Sequence, residues 1–179
     1  MNRIGISKFE KVSYEQWKKD VLSEDVFEIY SRYPEAQLKK IYDSIKLPKR
    51  STVGSAGYDF YFPLPILDIP VNSSVKIPTG IRCRMDEGWV LTLYPRSGHG
   101  FKTGIHLANT VGIIDEDYYG ADNEGHIQVK LVNDSLLKKR IELKQDEAFC
   151  QGIFLPFGTT VDDEVSAKRS GGFGSTDKK

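Results

Sequence analysis

From Pro48 onward the chain is a series of short apolar stretches broken by glycine, proline and asparagine, with no helical pattern between them. Many of these stretches alternate apolar and polar residues, as in Val75-Lys76-Ile77 and Ile127-Gln128-Val129-Lys130-Leu131. That is the period of a strand with one buried face. The pattern predicts strands at 57–62, 74–78, 81–85, 89–94, 106–107, 112–114, 126–133, 141–143 and 149–157. Short strands at regular spacing without crossover helices predict an all-β sandwich or jelly roll.

Both ends of the chain depart from this pattern. Before Pro48 the residues read as helices. Ser13 with Gln16 three places on makes a capping box, and Tyr14, Trp17 and Val21 follow at helical spacing. Pro34 suits the first turn of a later helix, in which Leu38, Ile41, Tyr42 and Ile45 form one apolar face. Residues 1–46 therefore form an N-terminal helical extension, docked on the main domain or on a partner subunit. The last stretch, residues 166–179, is rich in glycine and polar groups and has little to bury, so it is expected to be a mobile tail.

A length of 179 residues suits one domain with a real core. With 25 basic and 25 acidic side chains, no net field draws the chain to nucleic acid or anionic lipid. Cys83 and Cys150 lie far apart, match no metal-ligand spacing, and read as small core residues in a reducing compartment. The N-terminus lacks a signal pattern, and no apolar run approaches the ~20 residues of a membrane helix. These features predict a soluble cytoplasmic protein that engages neither membrane nor nucleic acid.

The chemistry concentrates in residues 91–120. Arg96 and Ser97 offer a guanidinium and a hydroxyl at a tight turn. Asp115 offers a carboxylate at the end of the apolar stretch Gly112-Ile113-Ile114, and Tyr118 a ring three residues later. Such a set can hold phosphates, deprotonate a water and press on a sugar. It can also be a β-hairpin with a polar tip.

Five short motifs, in fixed order, weight the first reading. They are Ala-Gly-Tyr-Asp-Phe at 56–60, Pro-Arg-Ser-Gly at 95–98 and Gly-Ile-Ile-Asp-Glu-Asp-Tyr-Tyr-Gly at 112–120. Asp-Glu-Ala-Phe-Cys-Gln at 146–151 and Gly-Gly-Phe-Gly-Ser-Thr at 171–176 complete the set. From about Lys46 to its end the chain resembles the homotrimeric, all-β dUTPase family. The resemblance implies a distorted jelly-roll β-barrel over residues 47–165, closed by a flexible C-terminal arm at 166–179. It also implies a homotrimer with shared active sites, and hydrolysis of dUTP to dUMP and pyrophosphate. That reaction keeps uracil out of DNA and supplies dUMP for thymidylate synthesis.

The resemblance assigns roles residue by residue. Asp115 matches the carboxylate that activates water for attack on the α-phosphorus, although a strand-end aspartate can also simply cap a turn. Tyr118 matches the ring against the deoxyribose, whose flat face leaves no room for a 2′-hydroxyl; otherwise it is a core aromatic, with Tyr119 pointing the other way on a strand. Asn109 to Gly112 match the hairpin whose backbone reads uracil, with Gly112 as a close wall. Ser97 and Gly98 match the turn that meets the phosphates, and Arg96 either contacts phosphate or anchors the arm. Gln151 matches a phosphate contact and Asp59 a carboxylate supporting the site from behind. In the arm, Phe173 matches the ring that stacks on uracil, and Gly174, Ser175 and either Lys168 or Arg169 match its phosphate contacts. Magnesium is implied as the cofactor, held by substrate phosphates and water without direct protein ligands. His99, His106 and His126 receive no role.

The chain departs from the family pattern at Lys168-Arg169, Asp177, Ala148 and a loop insertion at residues 121–125. Two alternative readings are a dCTP deaminase-type enzyme, which shares this fold, and a protein of this fold with a regulatory binding role in which the N-terminal helices hold a protein regulator.

Overall fold

Apolar residues alternate inward along many of the strands of the computed structural model, which describes residues 5–134, 136–167, 169 and 171. The strands are β1 (Ser7–Lys11), β2 (Tyr58–Tyr61), β3 (Ile66–Ile69), β4 (Ser73–Pro78), β5 (Ile81–Met85) and β6 (Trp89–Pro95). β7 (His106–Leu107), β8 (Gly112–Ile114), β9 (Gln128–Asn133), β10 (Ile141–Lys144) and β11 (Ala148–Pro156) follow. Helices α1 (Tyr14–Leu22) and α2 (Glu35–Ser44) flank a 3-10 segment at Asp25–Arg32. A short helix α3 spans Ser97–Thr103, and a second 3-10 segment spans Glu116–Gly120.

The strands pair antiparallel into four sheets, in the orders β1-β5, β10-β3, β2-β11-β6-β8 and β4-β9-β7. No closed ring of pairing joins them among the described residues. One continuous apolar core lies between the sheets, with Phe60, Phe62, Leu91, Leu93, Ile127, Leu131 and Phe149 at its centre. Cys83 and Cys150 are free and buried in it. Burial pushes the Cys83 thiol up to about 12 and Cys150 further, so neither is a ready thiolate. No helix among the described residues is long and apolar enough to cross a membrane.

Before Pro48 the chain holds a strand as well as helices. β1 lies along β5 with Phe9 opposite Cys83. Its charged residues mask the strand signal, but Phe9 points inward to meet the rings of Tyr58, Phe60 and Phe154 at 5.4, 5.6 and 5.7 Å. α1 buries Trp17 and Val21, and α2 buries Leu38 and Ile41, in the same core as the sheets. Gly80 lets them in: at φ +75, a Cβ there would lie 2.5 Å from Ile45 Cδ1 and 3.2 Å from Trp17 Cδ1.

Only half of the expected capping box forms. Ser13 Oγ accepts from Gln16 N at 3.1 Å, but the Gln16 amide turns to Asp20 Oδ2 at 2.8 Å. Glu124, far along the chain, takes the other half: its carboxylate accepts from Ser13 N at 2.7 Å and Ser13 Oγ at 2.6 Å. A carboxylate there also faces the positive end of α1. β3 was not expected because Pro65 and Pro70 bracket it, yet as an edge strand pairing only β10 it needs no donors beyond those ends.

Candidate active site

Strand β6 leads from one cavity to another. At its start it pairs with β8, placing Leu91 opposite Ile114 and Leu93 opposite Gly112. At its end it pairs with β11, placing Tyr94 opposite Gln151.

The first cavity, of about 490 Å³, is lined by Leu93, Leu107, Asn109, Val111, Gly112, Asp115, Tyr118 and Arg169, among others. Asn109 to Gly112 do not close a hairpin. β7 pairs with β9 and β8 with β6, so this link passes between two sheets. It bends tightly, with Thr110 at φ 62 and Val111 N donating to Asn109 O at 2.6 Å. Gly112 is needed for close approach to β6, because a Cβ there would lie 3.0 Å from Leu93 Cβ.

Asp115 leaves β8 and opens the 3-10 segment with its side chain 46% exposed. Tyr118 and Tyr119 sit on that 3-10 segment rather than on a strand, because the chain turns at once after Asp115. Tyr118 is only 6% exposed, so one ring serves both the core and the cavity wall. Its hydroxyl donates to His126 O at 3.0 Å and accepts from Asn123 Nδ2 at 2.8 Å. Burial pushes that hydroxyl above the usual phenol range, keeping it a donor. Arg169 caps the cavity: it ion-pairs with Asp115, reaches Asp117 Oδ1 at 2.7 Å, and lies 5.9 Å from the Tyr118 ring centroid.

The second cavity, of about 410 Å³, is lined by Ser51, Ser55, Ala56, Gly57, Asp59, Arg96, Ser97, Gln151 and Ile153. Asp59 is buried behind it and accepts from Arg96 Nε at 3.0 Å and Ser51 Oγ at 2.9 Å. Arg96 is thereby held out from the sheet end, with Nη1 also donating to Ala148 O at 3.4 Å. Ser97 and Gly98 are exposed on the first turn of α3. In place of the expected tight turn, this glycine-rich stretch closes a short helix that Gly104 ends at φ 73. Gln151 Nε2 donates to Pro95 O at 3.1 Å, and its Oε1 packs so close to Gly57 that a Cβ there would clash with it.

The expected site residues thus fall into two groups with no lining residue in common. Continuing the β6–β8 register sets Asp115 opposite Val90, six residues before Arg96, or roughly 20 Å along the sheet. Lys168, Phe173, Gly174 and Ser175 lie outside the described residues. Among the described residues, no group of three His, Cys, Asp or Glu side chains converges as metal ligands do.

The dUTPase family model matches residues 43–177 of the chain. The chain belongs to the dUTPase family. A relative in Lactococcus lactis, a deoxyuridine 5′-triphosphate nucleotidohydrolase, is 39% identical over 84% of this chain and 95% of its own length. The crystal structure of the Streptococcus mutans dUTPase, also 39% identical, superposes with a TM-score of 0.58 over 64% of this chain and 88% of that one. The dUTPase of Staphylococcus aureus phage phi11, whose structure shows coordination of a structural Mg(II) ion, shares the fold at 18% identity. Its TM-score is 0.56, over 68% of this chain and 90% of that one.

Sequence motifs do not single out every residue that lines these cavities. Lys76, Gln128 and Lys130 line the first cavity from β4 and β9, where they sit in ordinary strand alternation. His126, given no role above, is fully buried and holds Tyr118 through its carbonyl. Nothing in its spacing marks it, because the partners of its ring, Asp20 and Gly80, are distant in sequence.

Proposed function

We propose that the protein hydrolyses dUTP to dUMP and pyrophosphate in sites shared between the subunits of a homotrimer. The observation that carries this reading is the division of the site, in a member of the dUTPase family, into two cavities roughly 20 Å apart. A carboxylate that activates water and a hydroxyl that meets the phosphates must converge within a few ångströms of one phosphorus atom. One chain keeps Asp115 and Ser97 too far apart for that. A second copy, presenting its Ser97 end to the first copy's Asp115 end, brings them together.

In that arrangement Asp115 accepts a proton from the attacking water, which its half-exposed position at a cavity mouth permits. Arg96, steadied by Asp59, and Ser97 and Gln151 place the phosphates and offset their charge. Backbone groups of Asn109 to Gly112, fixed by the tight bend, read the uracil edge. Cytosine reverses the donor and acceptor at that edge, and an unpaired buried polar group is the strong kind of rejection, on the order of 10⁴-fold. Arg169 exchanges its carboxylate partners for substrate phosphate as the arm, residues 166–179 with Phe173, Gly174 and Ser175, closes. Within the same reading, residues 1–46 are an N-terminal extension, residues 47–165 a jelly roll, and the protein works in the cytoplasm.

Magnesium fits the donor set. Asp115 and Asp117 already converge on one cation, the Arg169 guanidinium, and carboxylate oxygens are the donors a hydrated Mg²⁺ takes. The ion, bound with the triphosphate, would neutralise phosphate charge.

Sugar selection tests the placement of the first cavity. Tyr118→Ala should raise hydrolysis of UTP relative to dUTP by removing the wall that excludes a 2′-hydroxyl. Because the ring is also core, the change should lower stability by about 3–5 kcal/mol. Rates should therefore be compared well below the variant's melting midpoint. An unchanged ratio would mean that Tyr118 faces away from the sugar.

A further inference from the structure

The N-terminal segment grips the segment that follows Asp115 at three points. From β1, Glu10 Oε2 accepts from the Tyr119 hydroxyl at 2.6 Å, while the Arg82 guanidinium lies 4.3 Å over the Tyr119 ring centroid. At the start of α1, Ser13 donates twice to the Glu124 carboxylate. Within α1, Asp20 Oδ2 accepts from His126 Nδ1. Gly80 N donates to His126 Nε2 at 2.7 Å, which leaves the ring proton on Nδ1 and aims it at Asp20. Burial alone would raise the Asp20 carboxyl, but hydrogen bonds from His126 and Gln16 outweigh it and hold the group below its usual value.

These grips close on Tyr118. The backbone carbonyl of His126 receives the Tyr118 hydroxyl, so a shift of His126 shifts the ring's anchor. Gly125, at φ +69, packs on the same backbone: a Cβ there would lie 2.6 Å from Tyr118 O and 2.7 Å from Tyr119 Cα. The loop at 121–125 and the N-terminal segment, both outside the five motifs, are therefore two sides of one contact.

We propose that Asp20, acting through His126, and Glu10, acting through Tyr119, are positioning residues that fix the Tyr118 ring in the first cavity. The N-terminal segment is thereby a determinant of sugar selection. This rests on the reading that Tyr118 faces the deoxyribose of dUTP. Excluding one hydroxyl requires the ring to hold its place closely, and a displacement near 1 Å opens the needed room, so selection is more sensitive to these contacts than is the fold.

The test measures kcat/KM for dUTP and for UTP, with the full-length protein, well below each variant's melting midpoint. Asp20→Ala should raise the UTP-to-dUTP ratio by about tenfold. Asp20→Asn keeps an oxygen that can accept from His126 Nδ1 and should recover most of the wild-type ratio. Tyr119→Phe loses a single hydroxyl, should fold normally, and should raise the ratio by a smaller factor. Asp43→Ala, on an exposed pair with Lys39 in α2, should leave it unchanged. A lowered melting midpoint with an unchanged ratio in Asp20→Ala would make the contact structural only and overturn the inference. Should Asp20→Ala not fold, an unchanged ratio in Tyr119→Phe overturns it equally. Wild-type protein that releases no pyrophosphate from dUTP would overturn the functional reading itself, and this inference with it.

Discussion

Asp115→Asn should lower turnover of dUTP by about a hundredfold or more while a non-hydrolysable dUTP analogue still binds. The substitution keeps the size of the side chain and removes its capacity to take a proton. Little else depends on the group. Asp115 is half-exposed at the end of β8 and supports no core contact, and Arg169 keeps a second carboxylate in Asp117. A structural role would show as a lower melting midpoint with modest loss of rate. A catalytic role should show as loss of kcat with the midpoint and analogue affinity close to wild type. Single-turnover measurements separate the two, and near-normal turnover would remove Asp115 from the mechanism.

Mixing two impaired variants should restore activity. Asp115→Asn spoils the first cavity and Ser97→Ala the second, and these lie roughly 20 Å apart in one chain. When sites form between subunits, a mixed trimer can pair an intact Asp115 end from one variant with an intact Ser97 end from the other. Random assortment of equal amounts leaves about one interface in four with both ends intact. The mixture, unfolded and refolded together, should therefore recover about a quarter of the wild-type rate, far above either variant alone. Rates that merely average the two variants would mean that each chain builds its own site. Sedimentation of the wild type as a monomer at assay concentration would contradict the shared site as well.

Much of the fold is legible in the sequence, and the exceptions have physical causes. β5, β7 and β8 occupy 81–85, 106–107 and 112–114 as alternation predicts, because each turns one apolar face inward between clear turn signals. β1 is hidden by its lysines and glutamate, which break the apolar alternation: Phe9 seeks the core, while Lys11 and Glu10 are held by partners from distant segments, Tyr42 and Tyr119. The residues that the motifs single out line cavities: Asp59, Arg96, Ser97 and Gln151 one of them, and Asn109, Gly112, Asp115, Tyr118 and Arg169 the other. What the sequence does not reveal is pairing at a distance. Glu124 completing the cap of Ser13, and His126 meeting Asp20, join residues more than a hundred positions apart, and no local pattern encodes such contacts. The family resemblance implies sites shared between subunits, but no local pattern shows how the expected residues separate into two cavities, since that follows from the register of β6 against β8 and β11.

The most direct measurement is release of pyrophosphate and of ammonia from dUTP, dCTP, dTTP, dATP, dGTP and UTP, each with Mg²⁺ and with the metal chelated. The account predicts rapid pyrophosphate release from dUTP with Mg²⁺, dUMP as the nucleotide product, and rates from dCTP lower by on the order of 10⁴-fold. Ammonia released from dCTP, or pyrophosphate released from no nucleotide under either condition, would contradict it.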